Sequence, residues 1–163
     1  MREYFSFFSR YNRWANETLY AAVATLAPDE IARDRQGFFG SIVGTLNHIL
    51  LADRIWVARM LGDDYGWFKS LDQILHDEFP VLRQARAAMD LRIIHVMGYL
   101  PLDGDLDYVS SKGEANSIPR RLVLGHVFNH QTHHRGQVHD MLSQVGITPP
   151  ALDLIYFLPH DER

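Results

Sequence analysis

Residues 125–146 read GHVFNHQTHHRGQVHDMLSQVG, and the interpretation of the whole chain starts from them. Apolar side chains recur here at helical spacing, which predicts a helix from near Ser117 to the glycine and prolines after Val145. Residues 130–134, HQTHH, come close to the zinc-protease motif H-E-x-x-H. Glutamine stands where that motif needs a glutamate as general base, and an amide cannot accept the proton. The stretch therefore disfavours zinc-protease chemistry.

Two histidines of this helix are predicted to face its apolar side. With His126 at zero, about 100° per residue places the apolar direction near about 100°, His130 near about 40° and His134 near about 80°. Two imidazoles one turn apart in an apolar interior need a partner, because burying an unpaired polar ring is costly. A shared divalent ion is one such partner, and ordinary core hydrogen bonding is the alternative. Gln137 lies where it could contact a metal-bound water, whereas Arg135 is expected to point away.

A third ligand is expected from the preceding helical segment, residues 41–61. His48 lies at the border of the apolar face of this segment, where a side chain can reach a gap between helices. Asp53 falls near the centre of the same face. We expect either a buried carboxylate bonded to the first helix, through Arg13 or Asn16, or a group that orients a ligand histidine.

Length, charge and cysteine content limit the class of protein, its partners and the kinds of site that this chain can have. The 163 residues suit one domain, spanning 1–163, with a sizeable core. The net charge of -4 and the lack of a basic block argue against nucleic acid and against an acidic membrane surface as partners. There is no apolar run of membrane-spanning length and no signal peptide, so a cytoplasmic location is expected. The absence of cysteine excludes disulfides, cysteine zinc sites and a cysteine nucleophile.

Helical periodicity recurs four times along the chain, with little strand pattern. The predicted helices cover residues 2–26, 41–61, 70–99 with a kink or break at Pro80, and 117–145. A short hairpin is expected near residues 105–113. Four helices without a linker predict an all-α fold, a single four-helix bundle.

The chain resembles the DinB family of the DinB/YfiT-like superfamily. The resemblance rests on YNRWAN at 11–16, NHILLADRIW at 47–56 and the stretch at 125–146, and it covers nearly the whole chain in order. It implies an up-down-down-up order of the four helices. It also implies that His48, His130 and His134 bind one divalent metal ion inside the bundle.

The resemblance suggests several functions and leaves the choice open. Superfamily members include thiol-dependent S-transferases and isomerases, in which a low-molecular-weight thiol binds the metal and reacts as thiolate. A metal-dependent hydrolase fits the same residues, and a non-enzymatic, damage- or stress-related bundle that binds a metal or small ligand is the alternative. Zinc or nickel is the favoured ion, and iron, manganese, cobalt and copper also suit imidazole ligands.

A homodimer is expected, formed through the helical faces and the C-terminal segment. Residues 151–158, ALDLIYFL, are strongly apolar, although chain ends are usually polar unless they dock on something. The segment could instead cover the open end of the bundle in its own chain. Dimerisation is common among the proteins that this chain resembles.

Overall fold

The computed structural model describes residues 1–161, and these are mostly helical with one small sheet. The elements in chain order are α1 (Arg2–Val23), α2 (Pro28–Ala32), α3 (Ile42–Leu61), α4 (Phe79–Met97), β1 (Asp105–Val109), β2 (Ala115–Pro119), α5 (Arg120–Gln144), α6 (Leu154–Phe157) and a 3₁₀ turn (Leu158–His160). Among residues 1–161, no helix combines the length and apolar character needed to cross a membrane.

The ends of α3 follow from its sequence. Ser41 is the N-cap, and its hydroxyl accepts a hydrogen bond from the backbone N–H of Gly44 at 3.1 Å. The helix ends at Gly62, which adopts the left-handed conformation with φ 75° that glycine tolerates best. Both bounds agree with the prediction to within a residue.

The third predicted helix is wrong in its first part. Helix α4 begins at Phe79 rather than near Ser70, and Pro80 lies in its first turn instead of kinking a longer helix. A proline is well tolerated there because the N–H that it lacks would have no partner inside the helix. Residues 62–78 consequently form a long connection, which reaches the site described below.

The expected hairpin is present but longer than predicted. Strands β1 and β2 are antiparallel, with Leu106 opposite Ile118, and the second strand continues to Pro119. Helix α5 therefore begins at Arg120, three residues after Ser117, which is part of β2. The prediction of an all-α chain is correct only in the coarser sense that the chain is mostly helical.

The four long helices share one apolar core. Helix α1 packs against α4 and α5, and α3 packs against the same two helices. Each of the four contributes fully buried side chains, namely Leu19, Leu46, Leu50, Leu82, Ile93 and Leu124 among others. Burying one such side chain contributes about 1.5–3 kcal/mol, so this core is the main source of stability.

A buried polar network crosses this core and contains two carboxylates and two guanidinium groups. Arg86 of α4 bonds Asp53 of α3 and forms a two-pronged ion pair with Asp90 of its own helix, at 2.9 and 3.1 Å. From α5, the Gln131 amide donates to Asp53 at 2.7 Å. Arg135 donates to the Gln131 oxygen at 3.1 Å, which links the second guanidinium to the network.

Helix α1 completes the network through two asparagines. Asn12 and Asn16 each donate to Asp90, at 3.2 and 3.0 Å, and Asn12 accepts from Arg135 at 2.6 Å. Asn16 also donates to Gln131 at 3.1 Å. All four long helices are thus tied by hydrogen bonds inside the core.

Burial shapes the ionisation of these groups. It raises the pKa of Asp53 to about 6 although Arg86 opposes the shift, and it also raises the pKa of Asp90. Burial lowers the pKa of Arg135, and it acts in the same direction on Arg86. The carboxylates of Asp90 and Asp53 outweigh burial for Arg86, so its pKa is raised and the guanidinium stays charged.

Two expectations about polar residues need correction. Asp53 is buried as expected, but its partners are Arg86 and Gln131 rather than Arg13 or Asn16. Arg135 does not point away from the core; it is 2% exposed and bonded within the network. The periodicity of a single helix cannot show that Asn12 and Asn16 of α1 are placed to accept hydrogen bonds from such a side chain.

The C-terminal segment folds back on α1 in the same chain. Phe157 is buried against Tyr11 and Trp14, and Arg10 forms an ion pair with Asp161 at 2.6 Å. Three large apolar side chains of the segment stay exposed: Ile155, Tyr156 and Leu158.

Gln131→Glu should destabilise the fold by about 3 kcal/mol at pH 7, because it removes the donor to Asp53 and buries a third carboxylate. The loss should grow as the pH rises, since burial opposes ionisation of the introduced carboxyl. Urea unfolding measures the difference. Gln84→Glu makes the same change at an exposed position of α4 and should stay within about 0.5 kcal/mol of wild type. Wild-type stability in the Gln131 variant would show that the network does not constrain this position.

Candidate metal centre

Three histidines from two helices meet beside the core. His48 comes from α3, and His130 and His134 lie one turn apart on α5. Each offers a ring nitrogen, and these three atoms lie within 4.8 Å of one another. The structure therefore brings together all three residues that were predicted as ligands, while metal binding itself stays a prediction.

Hydrogen bonds to the Nδ1 atoms orient two of these rings. His48 Nδ1 lies 2.9 Å from the carbonyl oxygen of Leu71, and His134 Nδ1 lies 2.7 Å from the side-chain oxygen of Gln137. Both oxygens are acceptors, so each Nδ1 carries the hydrogen and each Nε2 keeps its lone pair. Such outer partners are the usual means by which proteins fix metal-binding imidazoles.

One pair of nitrogens, from His48 and His130, has the separation that a common ion requires. His48 Nε2 and His130 Nε2 are 3.0 Å apart. Two nitrogens bound to one zinc-like ion at about 2.0–2.1 Å each lie roughly 2.9–3.4 Å from one another, depending on the bond angle. A set of three imidazoles also suits first-row transition metals better than calcium or magnesium, which prefer oxygen. The residues present fit a divalent transition-metal ion.

Burial keeps these imidazoles neutral. It lowers the pKa of His48 to about 4 and that of His130 to about 3, where the neighbouring histidines add to the effect. Burial likewise lowers the pKa of His134. A neutral imidazole is the form that binds a metal, so the apolar surroundings favour the binding-competent state at neutral pH.

Gln131 takes no part in this cluster. It follows His130 directly in the sequence, yet its side chain is buried on the core side, bonded to Asp53, Asn16 and Arg135. The glutamine in HQTHH is therefore a structural residue of the network and not a disabled general base.

The histidines open onto a cavity of about 560 Å³. Its walls are largely aromatic, with Phe38, Phe39, Trp56, Phe68 and Tyr108 among the lining residues. Phe39 stacks on the His48 ring at a centroid distance of 3.8 Å and meets the edge of His134 at 5.5 Å. The site is thus shielded by apolar surface on one side and accessible through the cavity on the other.

Two further histidines and Gln137 lie next to the cluster without joining it. His126 and His133 line the cavity, with ring centroids 5.7 Å from His130 and 4.7 Å from His134. Gln137 bonds His134, so it was correctly expected on the ligand side of α5.

Sequence reasoning missed the contributions of the loops. The Leu71 carbonyl comes from the connection between α3 and α4, and Phe39 comes from the turn before α3. Every residue has a backbone carbonyl, so the residue type at position 71 gives no indication that its carbonyl accepts this hydrogen bond. Phe39 adjoins the predicted helix start, but its stacking partner is apparent only in three dimensions.

Comparison with known proteins bears on the family and the fold of this chain. The DinB family model matches residues 1–162. The chain is 25% identical to "Protein DinB" of Bacillus subtilis (strain 168) over 171 residues, covering 94% of each chain. Its fold is similar to that of a DinB-like protein from Bacillus cereus ATCC 10987, with a TM-score of 0.65, 18% identity, and coverage of 84% of this chain and 89% of that chain. The match over nearly the full length confirms the resemblance seen in the sequence, and the chain belongs to the DinB family.

Proposed function

We propose that this protein binds one divalent transition-metal ion through His48, His130 and His134. The observation that carries the proposal is the orientation of the rings: His48 and His134 are held through Nδ1, which leaves the Nε2 lone pair of both available to an ion. Three protein ligands leave at least one coordination position for water or a small molecule, as in catalytic rather than structural sites. Zinc or nickel is favoured, with iron, manganese, cobalt and copper as alternatives.

The proposed activity is metal-dependent transfer to or from a small thiol. A divalent ion, when bound, lowers the pKa of a bound thiol or water and stabilises the resulting nucleophile. The chain contains no cysteine, so the thiol would come from a low-molecular-weight cofactor or substrate. Phe39 and the other aromatic walls exclude water from one side of the site, and the cavity has room for a small organic molecule.

Hydrolysis is the second candidate, since a metal-bound water could take the place of the thiol as nucleophile. Within residues 1–161, the cavity lining includes no aspartate or glutamate, so His126 or His133 would act as the general base for water. A non-enzymatic bundle that binds a metal or small ligand, with a role in damage or stress, is the alternative to both.

We further propose that α1, α3, α4 and α5 form an up-down-down-up four-helix bundle, as the family resemblance implies. The packing of α1 and α3 each against α4 and α5 supports this arrangement. In this order α3 and α4 run in the same direction, and the connection between them, residues 62–78, has room to cross the bundle.

Replacing His48, His130 or His134 by Ala should weaken metal binding by more than about 100-fold, because loss of an outer partner alone costs 10–100-fold. Elemental analysis of untagged protein and calorimetry with Zn²⁺ measure this effect, while circular dichroism should show unchanged helical content. His95→Ala removes an exposed histidine of α4 and serves as the control. Tight stoichiometric binding by His130→Ala, or a requirement for His126 instead, would refute the assignment.

Zinc-loaded protein should accelerate the reaction of a small thiol with an aryl chloride. The thiolate sulfur bonds to the ring carbon, chloride leaves, and the thiol proton passes to solvent. His130→Ala protein corrects for the uncatalysed reaction. Turnover of ester or amide substrates without any thiol would favour the hydrolase, and no turnover in either arm would favour the binding protein.

We also propose a homodimer that uses the exposed side chains of the C-terminal segment. Ile155 and Tyr156 are 65% and 53% exposed, and an exposed apolar patch at a chain end favours association. Light scattering at micromolar concentration should give twice the 18.8 kDa chain mass, and Ile155→Lys with Tyr156→Glu should give monomers. Leu122→Lys, at an exposed apolar position of α5, is the control. A wild-type mass of one chain would contradict the dimer.

A further inference from the structure

Arg59 stands out among the residues that line the histidine cavity. In the described part of the chain, this lining contains no carboxylate, and Arg59 is its one permanently charged side chain. The cavity wall therefore carries a positive charge, although the chain as a whole has a net charge of -4. An apolar cavity with an isolated cation in its wall is suited to an anionic ligand.

The guanidinium of Arg59 is held in place without being neutralised. Its Nη2 donates to the carbonyl oxygen of Val109 at 2.9 Å. Its central carbon lies 4.8 Å from the ring centre of Trp56, 4.7 Å from that of Tyr108 and 5.3 Å from that of Tyr65. Ring faces attract a cation but do not cancel its charge.

Several other arginines of the chain have a carboxylate partner. Arg10, Arg35 and Arg92 each pair with a carboxylate, at 2.6, 3.0 and 2.7 Å. Within residues 1–161, no ion pair involves Arg59. Its position is therefore fixed by aromatic and backbone contacts, which leave its charge available to a ligand.

The spacing along α3 defines the shape of that ligand. His48 and Arg59 are 11 residues apart on one helix, or about 16 Å along its axis at about 1.5 Å per residue. Helical side chains lean toward the N-terminus, so the guanidinium reaches back toward the histidines. Ala52, Ile55 and Trp56 line the cavity between these two ends.

We propose that the cavity binds an elongated organic anion, with a metal-binding group at the histidine end, an apolar middle section, and a carboxylate on Arg59. The histidine end of this assignment rests on the proposed metal function, and the carboxylate end rests on Arg59 alone. Arginine is suited to this task because its planar donors match a carboxylate and it stays charged at any ordinary pH.

A pair of probes that differ only at one end tests the assignment. Calorimetry on zinc-loaded protein compares 6-mercaptohexanoate with 6-mercapto-1-hexanol, which share the thiol and the chain length. Wild type should bind the carboxylate at least about tenfold more tightly, as expected for a charge-assisted hydrogen bond in a half-buried site. Arg59→Gln should reduce this preference to about one, and Arg59→Lys should keep part of it.

The control is Arg54→Gln, which removes the same charge from a half-buried position of α3 outside the histidine cavity and should leave the preference intact. Circular dichroism checks the fold of each variant, and the wild-type preference tests the proposal even if Arg59→Gln fails to fold. Equal affinity of wild type for the two probes, persistence of the preference in folded Arg59→Gln, or no binding of either probe would overturn it.

The same titrations on metal-free protein separate the two proposals. Loss of the metal should weaken both probes by the same factor and leave the carboxylate preference unchanged. If metal removal changes neither affinity while the preference still depends on Arg59, the metal function fails and the anion site stands. If metal removal weakens both probes but the preference is absent, the anion site fails alone.

Discussion

The buried network around Asp53, Arg86 and Asp90 is the constraint on which the other features depend. An isolated charge in the core would cost several kcal/mol, so each of these groups requires the others in place. Removing one partner of a buried pair typically costs about 3–5 kcal/mol, because the remaining charge is left uncompensated. The helices can therefore pack only in an arrangement that lets α3, α4 and α5 present their charged and amide groups to one another.

The same network also sets the direction in which the side chains of His130 and His134 point. On α5, Gln131 and Arg135 are one turn apart and bonded into the network, and each directly follows one of His130 and His134. Adjacent helical residues differ by about 100° in direction, so holding the first pair in the core turns the second pair toward the cavity. The polar network thus sets the rotation of the helix that supplies two of the three candidate ligands.

Periodicity predicted much of this arrangement and failed in specific places. The inward direction of His130 and His134 follows from the apolar residues of one helix, and the position of His48 follows in the same way. Arg135 was misjudged because charged residues are normally exposed, and its burial depends on partners from α1 and α5 that no local pattern reveals. The start of α4 was misjudged because a proline within a helical pattern can either kink a helix or begin one.

The arginines of this protein divide according to whether their charge is compensated. Arg86 faces two buried carboxylates, so that it stabilises the packing and contributes little field beyond the core. Arg59 is surrounded by rings and a carbonyl, and its charge extends into the same cavity that the histidines face. Aromatic walls lower the local dielectric and strengthen that field. Helix α3 therefore contributes to two charged sites: Asp53 belongs to the buried network that stabilises the fold, and Arg59 lies in the cavity wall, where a ligand can reach it.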